Sequence, residues 1–229
     1  MRELPVLAID GPSGAGKTTV SRMLADRASL TRLDTGAMYR ACALAARRAG
    51  IPWSDGAGLG RICAELPMEF RRGEGGDLRL HLGGEDVSAA IRTPEMSMGA
   101  SEVSTHRQVR EAMVALQRKM GERGGVVLEG RDTGTVVFPD ADAKIFLDAH
   151  AAVRAMRRYR EWGAGAKKTF EEVLHEVLMR DIQDSTRDNS PLRMAEGAIC
   201  VDTTTLSAEE AVEEILRRLP ESVKKRLAP

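Results

Sequence analysis

Cysteine is scarce in this chain of 229 residues, and the three present, Cys42, Cys63 and Cys200, stand far apart. Neither the paired spacing of a metal site nor a disulfide framework emerges from them, which excludes a stapled secreted scaffold and predicts a reducing cytoplasm as the protein's home. Long hydrophobic runs are missing as well. No stretch approaches the ~18 consecutive apolar residues that a membrane span needs, and the first apolar strand begins at Leu4 behind a single arginine, so neither secretion nor membrane insertion is expected. Net charge is absent, with 34 Lys+Arg against 34 Asp+Glu. A surface devoted to nucleic acid or membrane would carry a basic excess, so neither partner is expected. Lysine is rare, at seven residues, and arginine supplies the remaining positive charge. A guanidinium grips phosphate and carboxylate bidentately, but GC-rich coding would also enrich arginine. Position along the chain must therefore decide which arginines matter.

What is present begins with the apolar run Val6-Leu7-Ala8-Ile9 and, directly after it, Gly11-Pro12-Ser13-Gly14-Ala15-Gly16-Lys17-Thr18. This fits G-x-x-x-x-G-K-[ST] at every specified position. The glycines let successive backbone N–H groups turn inward around a polyphosphate, Lys17 adds a mobile charge, and the following helix aims its N-terminus at the same anion. Thr18 offers a hydroxyl to Mg²⁺. A helical pattern (Val20, Met23, Leu24, Arg27, Ala28) follows, so the strand–loop–helix context that the motif requires is met.

Further along, a strand at 30–33 leads into a helix over 37–49, and Gly50-Ile51-Pro52 breaks it before a short helical piece near 59–66. The period then changes. Met68-Glu69-Phe70-Arg71 and Leu78-Arg79-Leu80-His81-Leu82 alternate around Gly73-Glu74-Gly75-Gly76, with Glu85-Asp86-Val87 as a third segment, which predicts a small antiparallel sheet. Thr93-Pro94 opens a helix, and another covers 107–122. Apolar strands are expected at 126–128, 144–147 and 198–201, with helices near 151–162 and 169–185 and a last one from Ser207. The helices at 169 and 207 begin with capping boxes, Thr169-x-x-Glu172 and Ser207-x-x-Glu210. This alternation predicts an α/β fold, a doubly wound parallel sheet of about five strands. Residues 220–229 read as a frayed basic tail.

Three clusters fall at strand ends, where ligands bind in open α/β sheets. The first, Asp34-Thr35-Gly36-Ala37-Met38-Tyr39-Arg40, presents a hydroxyl, a ring and a guanidinium, although a plain helix cap would look similar. The second, Glu129-Gly130-Arg131-Asp132-Thr133-Gly134, crowds charges between glycines after a buried strand, which is costly unless a ligand or ion pairs with them. The third places Arg154, Arg157 and Arg158 on one helical face and Arg180, Asp184 and Arg187 on another. The linker Gly163-Ala164-Gly165-Ala166 between those helices suits a segment that closes over a substrate.

From about residue 4 to residue 219 the chain resembles the bacterial cytidylate kinases, P-loop nucleoside monophosphate kinases. The resemblance rests on Gly-Pro-Ser-Gly-Ala-Gly-Lys at 11–17, Leu-Asp-Thr-Gly-Ala-Met-Tyr-Arg at 33–40, Glu-Asp-Val-Ser at 85–88 with Ile-Arg-Thr at 91–93, and Val-Arg-Glu-Ala at 109–112. It continues in Gly-Arg-Asp-Thr-Gly-Thr-Val-Val-Phe-Pro at 130–139, Lys-Ile-Phe-Leu-Asp-Ala at 144–149 and Val-Asp-Thr-Thr-Thr-Leu-Ser at 201–207. It implies a P-loop core at 1–35 and 105–229 with a short lid at about 154–168. A nucleotide-binding region at 36–104 would carry the antiparallel insert at about 68–92.

The resemblance also implies roles. Gly11, Pro12, Ser13, Gly14, Ala15, Gly16, Lys17, Thr18 and Thr19 would hold ATP. Arg40, Arg131 and Arg187 would contact the acceptor phosphate, and Thr35 and Tyr39 would line the nucleotide pocket. Ser101, Arg110 and Asp132 would read the cytosine edge, Arg180 and Asp184 the ribose hydroxyls. Arg154, Arg157 and Arg158 would serve in the lid, beside Lys17 and Arg131, as the groups acting on the transferring phosphoryl. The implied reaction is ATP-dependent phosphorylation of CMP and dCMP, with Mg²⁺, by a cytoplasmic monomer. Thr18 replaces a glycine found in some relatives, and Glu129 an aspartate found in many. Thr18 would ligate the Mg²⁺, and Glu129 could hold it through water. From the residues alone, a P-loop kinase for another small acceptor and a nucleotide-binding switch module remain alternatives.

Overall fold

The computed structural model describes residues 2–73, 78–162 and 168–227, so residues 74–76 of the expected turn and the linker 163–166 lie outside the described residues. Two compact units emerge, one formed by residues 1–32 and 123–229 and the other by residues 33–122.

In the first unit, strand β1 (Val6–Asp10) is buried along its whole length and runs parallel to β6 (Val126–Gly130) on one side and β7 (Ala143–Asp148) on the other. Continuous apolar runs with no polar alternation are what a two-sided parallel strand requires. Strands β2 (Thr31–Asp34) and β8 (Ile199–Asp202) complete the five-stranded sheet in the order β2-β6-β1-β7-β8, the doubly wound arrangement expected. Helices α1 (Lys17–Arg27) and α8 (Ala208–Arg218) cover one face, burying Leu7, Ile9, Leu24, Ile145 and Ile215 in a shared core. Helices α6 (Ala151–Trp162) and α7 (Phe170–Thr186) form a satellite cluster through Ala155, Val173 and Val177. Both expected capping boxes form, at Thr169 with Glu172 and at Ser207 with Glu210.

The expected frayed tail is not what the structure holds through residue 227. A short helix, α9 (Glu221–Lys224), buries Val223, and Arg226 binds Asp142 Oδ1 at 2.5 Å and the Arg2 carbonyl at 2.7 Å. Read as a charge run, the segment looked solvated. Its apolar Val223 and Leu227 instead find partners in the core beside α8.

In the second unit, α2 (Thr35–Arg48) starts at the N-cap Asp34, whose carboxylate accepts from Ala37 N at 2.8 Å. It packs on α3 (Gly56–Ala64) and on α4 (Pro94–Val103), which Thr93 caps. Helix α5 (Arg107–Gly121) lies against α3. The antiparallel insert forms as expected, with β3 (Met68–Arg72), β4 (Leu78–Leu82) and β5 (Glu85–Asp86) in that order and Met68 opposite Leu82. Its buried face adds Met68 and Leu80 to the α2–α5 core.

The expectation that the cysteines form no bridge is corrected here: Cys42 on α2 and Cys63 on α3 are joined, with their Cα atoms 6.3 Å apart. Sequence separation hid a contact made by two helices that pack side by side. Cys200 is free and exposed.

Candidate active site

The loop between β1 and α1 takes the conformation its glycines permit. Gly14 has φ +80°, and a Cβ there would lie 2.9 Å from the Arg154 carbonyl oxygen; at Gly11, φ +149°, it would meet the Leu147 carbonyl at 2.0 Å. No other residue fits such approaches to backbone. Lys17 opens α1 and is 9% exposed, its Nζ donating to the Pro12 carbonyl at 2.6 Å. Burial pushes this ammonium well below its ordinary pKa and Arg131 pushes further, while Glu129 and Asp184 pull it back. Thr18 and Thr19 are exposed on the first turn of the helix.

Three arginines of α6 reach this loop. Arg154, buried, donates from Nε to the Ala149 carbonyl at 2.8 Å and from Nη1 to the Ser13 carbonyl at 3.1 Å, and pairs with Asp181 at 2.7 Å. Arg157 donates to the Gly14 carbonyl at 3.3 Å and to the Thr203 hydroxyl and carbonyl at 3.0 and 2.5 Å. Arg158 reaches Ser13 Oγ at 3.1 Å. The spacing of three and four thus brings all three to the loop from one helical face. Partial burial lowers the pKa of both Arg157 and Arg158.

A second knot of charge gathers on Asp184 of α7. Arg131 Nε donates to it at 2.7 Å, Arg187 stands at 3.8 Å and Arg180 at 4.0 Å. Burial raises the Asp184 pKa, and Arg131, Arg180 and Arg187 together outweigh that, holding the carboxylate below its ordinary value. Arg187 is the C-cap rather than part of the helix, with extended backbone, so it joins the cluster by a turn of chain that helical spacing did not foresee.

The turn after β6 carries Arg131 and the buried Asp132, then winds into a single π-helical turn, Thr133–Val137, a rare form often found at functional sites. Glu129, buried on β6, accepts from Ser21 Oγ at 2.9 Å and lies 3.7 Å from Arg32. It thus faces the first turns of α1, where Arg32 also donates to the Thr18 carbonyl at 3.4 Å. An exposed hydroxyl and a nearby carboxylate are hard oxygen donors of the type Mg²⁺ takes, and Mg²⁺ in kinases draws most ligands from water and phosphates. Among the described residues no group of three His, Cys, Asp or Glu could form a protein-only metal cage.

In the second unit, Arg40 pairs with Asp34 at 3.1 Å, while its buried Nε meets no acceptor among the described residues. Such a donor is costly unless a ligand supplies the acceptor. Thr35 is buried at the start of α2, one turn before Tyr39. The guanidinium of buried Arg110 lies 5.6 Å from the centre of the Tyr39 ring and donates to the Ser104 carbonyl at 3.4 Å. Ser104 Oγ in turn donates to the Ser101 carbonyl at 2.9 Å, so the sequence-expected residues Tyr39, Ser101 and Arg110 are linked within this unit.

Sequence reading assigned no role to Asp10, Ser21 or Thr203, and it offered Asp181 only as a member of the charged series beside Arg180. Asp10 had one visible signal, a carboxylate at the tip of an otherwise apolar strand; the others became meaningful only through partners distant in the chain. Thr203 Oγ1 donates to the Ala15 carbonyl at 3.1 Å, tying the β8 end to the loop.

Comparison with known proteins gives a consistent picture. Residues 7–221 match the family model described as cytidylate kinase. A cytidylate kinase of Geobacter sp. (strain M21) is 49% identical over 97% of this chain and 94% of its own length. One of Carboxydothermus hydrogenoformans is 47% identical over 92% of this chain and 95% of its own. A solved structure of an uncharacterized protein from Eubacterium ventriosum ATCC 27560 superposes with a TM-score of 0.53 at 11% identity, covering 94% of this chain and 98% of that one, a likeness of fold.

Proposed function

The chain belongs to the cytidylate kinase family, and from that premise we propose that it transfers the γ-phosphoryl group of ATP to CMP and dCMP, giving CDP and dCDP. The observation that carries the reading is the concentration of cations in the first unit, the buried Lys17 beside the glycine loop and the part-buried Arg131, Arg180 and Arg187 about Asp184. Three guanidiniums share the one Asp184 carboxylate, and that excess of positive charge favours an anionic ligand.

Residues 11–19 hold the ATP phosphates, with Lys17 exchanging the Pro12 carbonyl for phosphate oxygen. Thr18, and Glu129 through water, would hold Mg²⁺, which would supply charge neutralisation to the phosphates. Arg40, Arg131 and Arg187 take the acceptor phosphate, and the buried Nε of Arg40 supports its part. Asp132 accepts from the exocyclic amine of cytosine, while Arg110 and Ser101 donate to its carbonyl and ring nitrogen. Thr35 and Tyr39 line the nucleotide pocket, and Arg180 and Asp184 bind the ribose hydroxyls.

In the reaction an oxygen of the CMP phosphate forms a bond to the γ-phosphorus as the bond to the β–γ bridging oxygen breaks, and ADP leaves with that electron pair. Lys17, Arg131, Arg154, Arg157 and Arg158 stabilise the charge spread over the transferring group. No general base is needed, because a phosphate monoester with a second pKa of about 6 is largely dianionic at neutral pH. The zero formal net charge supports a reading without nucleic-acid partners. Among the described residues no helix is long and apolar enough to cross a membrane.

The test is ADP release from Mg-ATP by the purified protein offered CMP, dCMP, UMP, AMP or shikimate. CMP and dCMP should be preferred. Preference for AMP or shikimate would overturn the proposal, and no acceptor-stimulated release would point to a nucleotide switch.

A further inference from the structure

Asp10 is a carboxylate inside a parallel sheet, 4% exposed, at the tip of β1 and directly before Gly11. Placing an ionised side chain there is costly unless donors surround it. Among the described residues it has no ion pair; what it has is three hydrogen bonds, all from one short stretch of chain. Oδ1 accepts from Thr133 N and from Thr133 Oγ1, each at 2.8 Å, and Oδ2 accepts from Gly134 N at 2.8 Å. Thr133 is the residue after Asp132.

The same stretch is closed upon itself by Val136 N and Val137 N donating to the Asp132 carbonyl at 2.9 and 3.2 Å. The Asp10 carboxylate thus joins the loop strand to the turn that carries Arg131 and Asp132. Burial raises the Asp10 pKa against the lowering effect of the Thr133 and Gly134 bonds, and the Asp132 charge raises it further, in keeping with two carboxylates held near each other.

We infer that Asp10 is a positioning residue of the phosphoryl-transfer site, fixing the Arg131-Asp132 turn against the end of the phosphate-loop strand so that donor and acceptor groups keep one register. The inference rests on the CMP reading above. Its reach is specific: the geometry that Asp10 sets is that of Asp132, the cytosine-reading group, and of Arg131, the acceptor-phosphate group. The ATP loop retains its own glycine geometry and its contacts with Arg154, Arg157 and Arg158.

Asp10→Asn separates this role from a merely structural one. Asparagine keeps the acceptor for Thr133 but sets an amide donor against the Gly134 N–H. Thr133→Val, which removes one of the three bonds, is the milder companion, and Thr133→Ser, which keeps the hydroxyl, should restore wild-type behaviour. Kinetics are measured per folded molecule with CMP and UMP as acceptors, and with ATP varied. The expected result for D10N is a KM for CMP raised about tenfold or more and a CMP-over-UMP preference reduced by a similar factor, the worth of one charge-assisted hydrogen bond. The KM for ATP should stay within about twofold, and T133V should show a smaller shift in the same direction. Lowered thermal stability with unchanged kinetics would overturn the inference, as would equal rises in both KM values with the CMP-over-UMP preference intact. If the unsubstituted protein releases no ADP in response to CMP, the functional reading and this inference fall together; with that control active, the inference alone is at stake.

Discussion

Asp184 gathers three guanidiniums, and its replacement by asparagine removes the charge that holds them together while preserving shape. The carboxylate side chain is 7% exposed, as is that of Arg187, with Arg131 at 19% and Arg180 at 27%, so solvent screens the cluster only in part. Breaking a buried pair by deleting one partner costs about 3–5 kcal/mol, and the partial exposure of Arg131 and Arg180 argues for the lower end, about 3 kcal/mol. For a chain of this size that corresponds to a fall in Tm of roughly 6–12 °C. Because the loss is one of charge balance, inorganic phosphate should recover part of it. At 10 mM, with a Kd of about 1 mM for the unmasked guanidiniums, phosphate would return about 1.4 kcal/mol to Asp184→Asn and less to the wild type. Differential scanning calorimetry with and without phosphate measures both quantities.

The linkage has a sign. The Asp184 pKa lies below its unfolded value of 3.8, so its contribution is full above that pH and fades as pH falls through the folded pKa. The gap between wild type and D184N should therefore narrow in acid. A loss below about 1 kcal/mol, or one that phosphate leaves untouched, would refute the idea that this carboxylate balances the cluster. If the same carboxylate binds the 2′-hydroxyl, Asp184→Ala should lower kcat/KM for CMP about tenfold more than for dCMP, and equal losses would count against that role.

Two further outcomes follow from buried groups. Lys17 is pushed well below its ordinary 10.5, so a polyphosphate that restores its charge should draw in a proton between the lowered value and 10.5. Calorimetric ATP titrations in buffers of different ionisation enthalpy should then show proton uptake, and heats independent of buffer would mean that the free protein already carries the charge. The Cys42–Cys63 bridge has a sequence separation of 21, so reduction should cost about 3 kcal/mol of stability by the loop-entropy relation, read from urea midpoints with and without reductant. Thiol counting on the unreduced, unfolded chain should find Cys200 alone, and three reactive thiols would contradict the bridge.

The parts legible in the sequence were those encoded within a few residues. The glycine loop declares its own conformation through Gly11, Gly14 and Gly16, and the capping boxes at Thr169 and Ser207 mark helix starts because both partners lie within one turn. The alternation at 68–82 marked the insert for the same reason. What escaped was non-local. Cys42 meets Cys63 because α2 and α3 pack together, Arg226 meets Asp142 across 84 positions, and Asp10 meets Thr133 across 123. No periodicity carries such information. Arg187 was read correctly as a neighbour of Asp184 but for an incomplete reason, since it reaches the carboxylate from beyond the helix end.

Four of the carboxylates that the first unit sets among its cations divide the work in a way that chemistry explains. Asp184 and Asp181 each take an arginine, Arg131 and Arg154, at 2.7 Å, and Glu129 sits with Ser21 and Arg32. These pairs hold guanidiniums in fixed directions, which a flexible cation cannot do for itself without losing side-chain entropy. Asp10 is the exception, a carboxylate with N–H and O–H donors as its hydrogen-bond partners. A guanidinium paired with Asp10 would be drawn away from the phosphate loop by that carboxylate, whereas the Thr133 and Gly134 donors fix the turn without engaging a cation. The strand tip before a phosphate loop is therefore a place where a carboxylate satisfied by backbone serves better than one satisfied by arginine.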